Sequence, residues 1–139
     1  MYMLDTNTCI YIIKRRPKSV QARFRRIDPG QICISVATLA ELQYGVERSS
    51  AKALNQSVLV AFVANLAVLA WTVEAAIEYG KLRCRLERQG TPIGNMDLII
   101  AAHAKSGRYT LVTHNLREFN RVPGLKCQNW VEGSQASPA

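Results

Sequence analysis

Short apolar runs of three to seven residues alternate with helix-patterned stretches along the whole chain. That alternation restricts the fold more than any other feature. The runs are residues 2–4, "QICISVA" (31–37), "AVLAW" (67–71), "YTLVT" (109–113) and "LKCQNWV" (125–131). Between the first and second, Thr6 or Asn7 is placed to cap a helix through "TCIYIIK", and Pro17 to open "PKSVQARFRRI", which ends at the "DPG" turn of 28–30. Further helices are expected over 38–49, where Leu39, Leu42 and Val46 fall on one side, and over 51–66. Another covers 73–89, closed by Gly90, and another follows Asn95 through "MDLIIAAHAKS" to Gly107. "NLREF" adds one helical turn. Strands alternating with helices imply a parallel sheet covered on both faces, an α/β layered domain.

In such sheets ligands bind in the crevice outside the carboxyl ends of the strands. Asp5 lies there, directly behind Met3 and Leu4. Asp5, Asp28 and Asp97 are the only aspartates, and Asp28 belongs to the "DPG" turn. Glu41 rides the helix after the second strand, and Asp97 sits in the first turn of the helix opened by Asn95. Thr113, His114 and Asn115 follow the strand "YTLV". Carboxylates gathered at one edge stay ionised together only when a cation neutralises them. Oxygen-only ligands suit a hard ion that keeps several waters, Mg²⁺ or Mn²⁺.

Most of these residues also have a purely local reading. Thr38-Leu-Ala-Glu41 has the form of a capping box, as does Asn115-Leu-Arg-Glu118. Asp97 could complement a helix dipole. His103, on an apolar helix, reads as a satisfied core histidine. Asp5 resists such an explanation, because an acid behind a buried strand is costly without hydrogen bonds or a metal.

The balance of charge points to a polyanion. Eighteen Lys and Arg against ten Asp and Glu give a formal charge of +8, and twelve of the cations are Arg. "KRRPKSVQARFRR" (14–26), which includes Arg15 and Arg16, holds seven of them. Lys81, Arg85 and Arg88 form one stripe at i, i+4, i+7. Such stripes hold a nucleic-acid backbone without reading its sequence; the plainer reading is a solvated face.

The remaining composition bounds the class. Among the 139 residues 48% are hydrophobic and 20% charged, as in a globular domain. The most apolar run, 58–71, is interrupted by Asn65 and falls short of the ~20 residues a bilayer requires. No secretory signal pattern opens the chain, so a cytoplasmic protein with no membrane association is expected. Cys9, Cys33, Cys84 and Cys127 lie far apart, without metal-site spacing, and read as reduced, mostly buried thiols. A single domain over 1–131 is expected, with a loose tail over 132–139.

Four stretches, "MLDTNTCIYIIKRRP", "ISVATLAELQYGVERS", "GTPIGNMDLIIAAHA" and "TLVTHNLREFNRVPGL", together resemble the PIN-domain ribonucleases, specifically the VapC toxins of bacterial toxin–antitoxin pairs. The resemblance runs from residue 1 to about 131. It implies a three-layer α/β/α sandwich with a central, mostly parallel sheet of four to five strands. It also implies a Mg²⁺- or Mn²⁺-dependent endoribonuclease acting on structured RNA such as tRNA or rRNA. Assembly as a homodimer, and a heteromeric complex with an inhibitory VapB antitoxin, are implied as well. By the same resemblance Asp5, Glu41 and Asp97 match the metal-binding acids and form the catalytic set. Thr6 and Thr113 are expected to support them, and Asn115 falls where many PIN domains carry a fourth acid, for which Glu118 can substitute. The implied reaction is in-line attack of an activated water, leaving a 5′-phosphate and a 3′-hydroxyl.

The chain departs from the family in two places, Asn115 and the "GNMD" loop, where "GPND" is expected. Asn115 supports an alternative, a PIN-like RNA-binding or antitoxin-binding module with weak or no catalysis. Response-regulator receivers and haloacid-dehalogenase-type phosphatases are disfavoured. The residue after Asp5 is Thr6 rather than a second acid, "LVTHN" lacks a lysine, and "DTN" is not D-x-D. No G-x-G-x-x-G is present for a dinucleotide.

Overall fold

A computed structural model describes residues 1–131; the tail expected over 132–139 lies outside them. The strands are β1 (Tyr2–Leu4), β2 (Ile32–Ser35), β3 (Ala67–Leu69), β4 (Thr110–Val112) and β5 (Cys127–Gln128). The helices are α1 (Thr6–Lys14), α2 (Lys18–Arg26), α3 (Val36–Glu47), α4 (Lys52–Val63), α5 (Val73–Arg88), α6 (Asn95–Gly107) and α7 (Leu116–Phe119). All five strands pair in parallel, in the order β3-β2-β1-β4-β5.

Successive strand side chains point to opposite faces, and here that period divides the core in two. Met3, Cys33 and Leu111 face one way and pack with Leu82, Leu86, Leu98 and Ile100 of α5 and α6. Leu4, Ile32, Ile34 and Val112 face the other way, against Cys9, Ile12, Val20, Leu42 and Leu59 of α1 to α4. The expected three-layer sandwich is therefore the observed one. The chain runs from β1 out to β2 and β3, then returns to place β4 on the other side of β1. That reversal leaves the crevice of the fold at the carboxyl ends of β1 and β4.

The elements begin and end differently from the sequence expectation where side-chain caps intervene. Asp5, not Thr6 or Asn7, caps α1: its Oδ1 accepts the Thr8 N–H at 2.8 Å. Ser35 ends β2 and caps α3, its hydroxyl accepting the Ala37 N–H at 3.1 Å. Thr38 is thus inside α3, fully buried, with no partner for its Oγ1, and the capping box with Glu41 does not form. Gly94 rather than Asn95 precedes α6. The last strand contracts from 125–131 to two residues, although Trp130 beyond it is only 3% exposed and closes the core.

Candidate active site

Asp5 arrives at the crevice because β1 ends there, its N–H donating to Val112 O of β4 at 3.0 Å. The side chain is buried, 5% exposed, and burial pushes its pKa above the usual carboxylate value. Opposing this, Asp5 accepts hydrogen bonds from the Thr113 side chain and from Thr8, and feels the nearby His114. The carboxylate is thus both local cap and part of the edge.

Thr113 is fully buried. While its hydroxyl serves Asp5, it also accepts the Asn115 N–H at 2.9 Å, which turns the chain after β4. Asn115 precedes α7 without a side-chain cap. Glu118 does not close a box onto it and instead hydrogen-bonds with Asp97. Glu41, released from any box with Thr38, accepts the hydroxyl of Thr6 at the start of α1 in a short hydrogen bond.

Asp97 registers the whole assembly. Its pKa is raised to about 6, first by burial, then by the charge of Glu118 and the hydrogen bond to it, then by the charges of Asp5 and Glu41. One aspartate from the first turn of α6 therefore senses acids from the end of β1, from α3 and from α7, although Asp5 and Glu118 lie 113 positions apart in sequence. Among the described residues no three His, Cys, Asp or Glu side chains form a ready metal-ligand group. Asp5 is held by Thr8 and Thr113, Glu41 by Thr6, and Asp97 by Glu118. The donor set itself, carboxylates whose mutual repulsion favours proton uptake, fits a hard divalent ion.

Of the other predicted residues, Arg15 and Arg16 are exposed after α1, and Lys81, Arg85 and Arg88 are exposed on α5. The α5 stripe, with Cys84 and Gln89, borders an open depression of about 530 Å³. Among the described residues none of these five cations has an ion-pair partner. Arg23 does have one kind of anchor: it donates to Gln128 at 3.0 Å and lies 5.4 Å from the centre of the Trp130 ring, so one of the seven cations of 14–26 holds the fold together. Cys84 is exposed, and all four thiols are free. The sequence reading missed Ser35 as the α3 cap and the Thr6–Glu41 bond; a serine ahead of an apolar helix was the available signal for the first, and nothing local signals the second.

Residues 2–125 match the PIN domain family. The chain belongs to that family. Within it the relatives are VapC proteins. The chain is 46% identical over 129 residues to the tRNA(fMet)-specific endonuclease VapC of Salmonella typhimurium, covering 93% of this chain and 97% of the relative. It is 45% identical over 130 residues to Ribonuclease VapC2 of Haemophilus influenzae, covering 94% and 98%. Among solved structures, VapBC2 from Rickettsia felis, bound to a DNA fragment from its promoter, superposes with a TM-score of 0.88 at 44% identity, covering 93% of this chain and 98% of the other. As a VapC-type PIN domain the chain is an RNA-cleaving hydrolase, the toxin of a toxin–antitoxin pair.

Proposed function

We propose that this VapC protein is a divalent-metal-dependent endoribonuclease acting on structured RNA, with Asp5, Glu41 and Asp97 as its metal-binding and catalytic acids. The observation that carries the reading is Asp97, pushed to about 6 partly by the charges of Glu118, Asp5 and Glu41. Mg²⁺ or Mn²⁺ at this edge would neutralise those acids, activate water and stabilise charge on the phosphate. Asp5 and Asp97 would hold the ion directly. Glu41, steadied by Thr6, orients the attacking water. Thr113 fixes the Asp5 carboxylate and Glu118 supplies the fourth acid in place of Asn115, a supporting position. Arg15 and Arg16, with Lys81, Arg85 and Arg88, grip the RNA backbone. The products are a 5′-phosphate and a 3′-hydroxyl.

A tRNA substrate is supported by the name of the Salmonella relative, and a VapB antitoxin partner by the VapBC assemblies. Homodimerisation belongs to the same reading, with residues 1–131 acting as one domain. No helix among the described residues is long and apolar enough to cross a membrane, and the proposed site of action is the cytoplasm.

The second reading, a binding module with weak catalysis, draws on Asn115, which stands where many PIN domains carry a fourth acid. Purified protein incubated with unfractionated tRNA and rRNA, with Mg²⁺, Mn²⁺ or EDTA, separates the two. Discrete cleavage that needs metal and disappears in Asp5→Ala and Asp97→Asn is expected, together with growth arrest from wild type alone. Equal toxicity from Asp97→Asn would favour the binding module.

A further inference from the structure

At the end of α6 away from Asp97, a cavity of about 250 Å³ opens between Lys105, Arg108, Tyr109, Gly124, Leu125 and Lys126. These residues precede β4 and β5, so the cavity lies at the amino ends of the strands, the edge opposite the acids. We propose that this cavity is a second phosphate-binding site, which anchors the backbone of the substrate RNA at a distance from the reacting bond. The proposal rests on the RNA-cleaving reading above and adds a binding site to it.

Charge decides what the cavity can take. Lys105 Nζ pairs with Glu78 Oε2 of α5 at 3.2 Å. Arg108 and Lys126 are exposed and have no ion-pair partner among the described residues. Against the three cations stand Glu78 and the carboxyl end of α6, worth about half a negative charge. The balance is positive, and the anion it suits offers several acceptor oxygens to separate donors, as a phosphodiester does.

Packing fixes the walls. A Cβ on Gly107 would come within 2.2 Å of the Tyr109 ring, so the ring lies directly over bare backbone. Gly124, at φ +80, lies beside the Lys105 stem, where a Cβ would stand 3.4 Å from Cε. Arg108 is held at φ 59 as the C-cap of α6, its N–H donating to Ala104 O and Lys105 O. A left-handed backbone at a non-glycine residue is uncommon, and here it turns the chain at the mouth of the cavity. The backbone that carries the donors is therefore set before a ligand arrives, which lowers part of the ordering cost of binding.

Distance assigns the role. Lys105 and Arg108 follow Asp97 along α6, which places them about 12 and 16 Å away at a rise of ~1.5 Å per residue. Because α6 is buried over that span, an RNA backbone must pass around the domain, so the path is longer than this rise and covers several nucleotides at ~3.4 Å each. A folded RNA engaged at Asp97 reaches the cavity; a two-nucleotide substrate does not.

The test uses full-length protein, Arg108→Gln, Lys126→Gln and the double variant, with unfractionated tRNA and a dinucleotide as probes. Binding of tRNA is measured in EDTA over a series of salt concentrations, and cleavage in Mg²⁺. The expected result is a loss of about one unit of salt slope per variant and about two in the double variant. KM for tRNA rises while dinucleotide cleavage is unchanged, and Arg108→Lys recovers most of the binding. Wild-type slope and KM in the double variant would overturn the site, as would an equal loss on both probes. Should wild type cleave neither probe, the ribonuclease reading fails, while the EDTA binding series still decides the cavity.

Discussion

The imidazole Nδ1 of His103 and the hydroxyl of Ser35 are joined by a buried hydrogen bond of 2.8 Å. Ser35 caps α3, which carries Glu41, and His103 lies on α6, which carries Asp97. One bond thus ties together the helices that deliver two of the candidate acids. Burial holds the His103 pKa below the ordinary histidine value, so the ring is neutral in the folded protein at neutral pH.

Replacing His103 with Leu leaves the Ser35 hydroxyl short of a buried partner, and a loss of about 1–3 kcal/mol is expected. His103→Gln, which keeps a polar partner, should recover part of it. The depressed histidine pKa contributes stability above the unfolded value that is lost as pH falls through it, because the unfolded chain takes up the proton first. Denaturant melts between pH 5 and pH 7.5 should show that loss in wild type and less of it in His103→Leu.

Asp97→Asn should stabilise the metal-free protein while abolishing cleavage. A carboxyl raised to about 6 binds its proton more tightly when folded, so its ionisation costs stability as pH rises from the usual carboxylate range through 6. After solvent screening the gain at pH 7.5 is about 1–2 kcal/mol, a few degrees in Tm. Thermal melts in EDTA check it; a less stable variant would mean that the repulsion at Asp97 is not what the geometry implies.

On the proposed reading, protons and cations compete for Asp97. Millimolar Mg²⁺ or Mn²⁺ should raise Tm at pH 7.5 and do so much less at pH 5, where Asp97 is protonated. The same melts in Asp97→Asn should lose most of the metal effect at both pH values. An ion-induced shift that is independent of pH would place the ion elsewhere.

Thr6→Val removes the hydroxyl that Glu41 accepts while keeping the branched shape at the start of α1. RNA cleavage should fall about 10–100-fold, the range seen when a group supporting a metal ligand is lost. Tm should change little. Steady-state cleavage beside a thermal melt separates the two effects.

Thr38→Val replaces a buried hydroxyl that has no partner with a methyl of the same shape. Because an unpaired buried polar group is costly, the change should be neutral or stabilising by up to about 1–2 kcal/mol. A clear destabilisation in a denaturant melt would show that the hydroxyl is hydrogen-bonded in solution.

How much of this was written along the chain can be judged element by element. β1, the body of α5 and the run of α6 follow from apolar spacing, because a strand or helix that must bury one face displays the period of that face. β5 was over-read, since within "LKCQNWV" only Cys127 and Gln128 pair and only Trp130 is buried, so the stretch is anchored by one side chain rather than by pairing along its whole length. Caps were misplaced for a related reason. Asp5, Ser35 and Thr38 are all acceptable caps by residue type, and only backbone geometry selects which hydroxyl or carboxylate meets a free N–H.

Residue order alone determined the alternation that makes a parallel sheet, the surplus of arginine, and the placing of Asp5 and Thr113 behind strands and of Glu41 and Asp97 near the starts of helices. Those are local properties, read from neighbours a few positions apart. Tertiary structure decided which of these groups meet: Thr6 with Glu41, Glu118 with Asp97 and His103 with Ser35. Such pairings depend on the order and register of strands, and on burial that strengthens charge between groups distant in sequence, neither of which any short stretch of residues encodes.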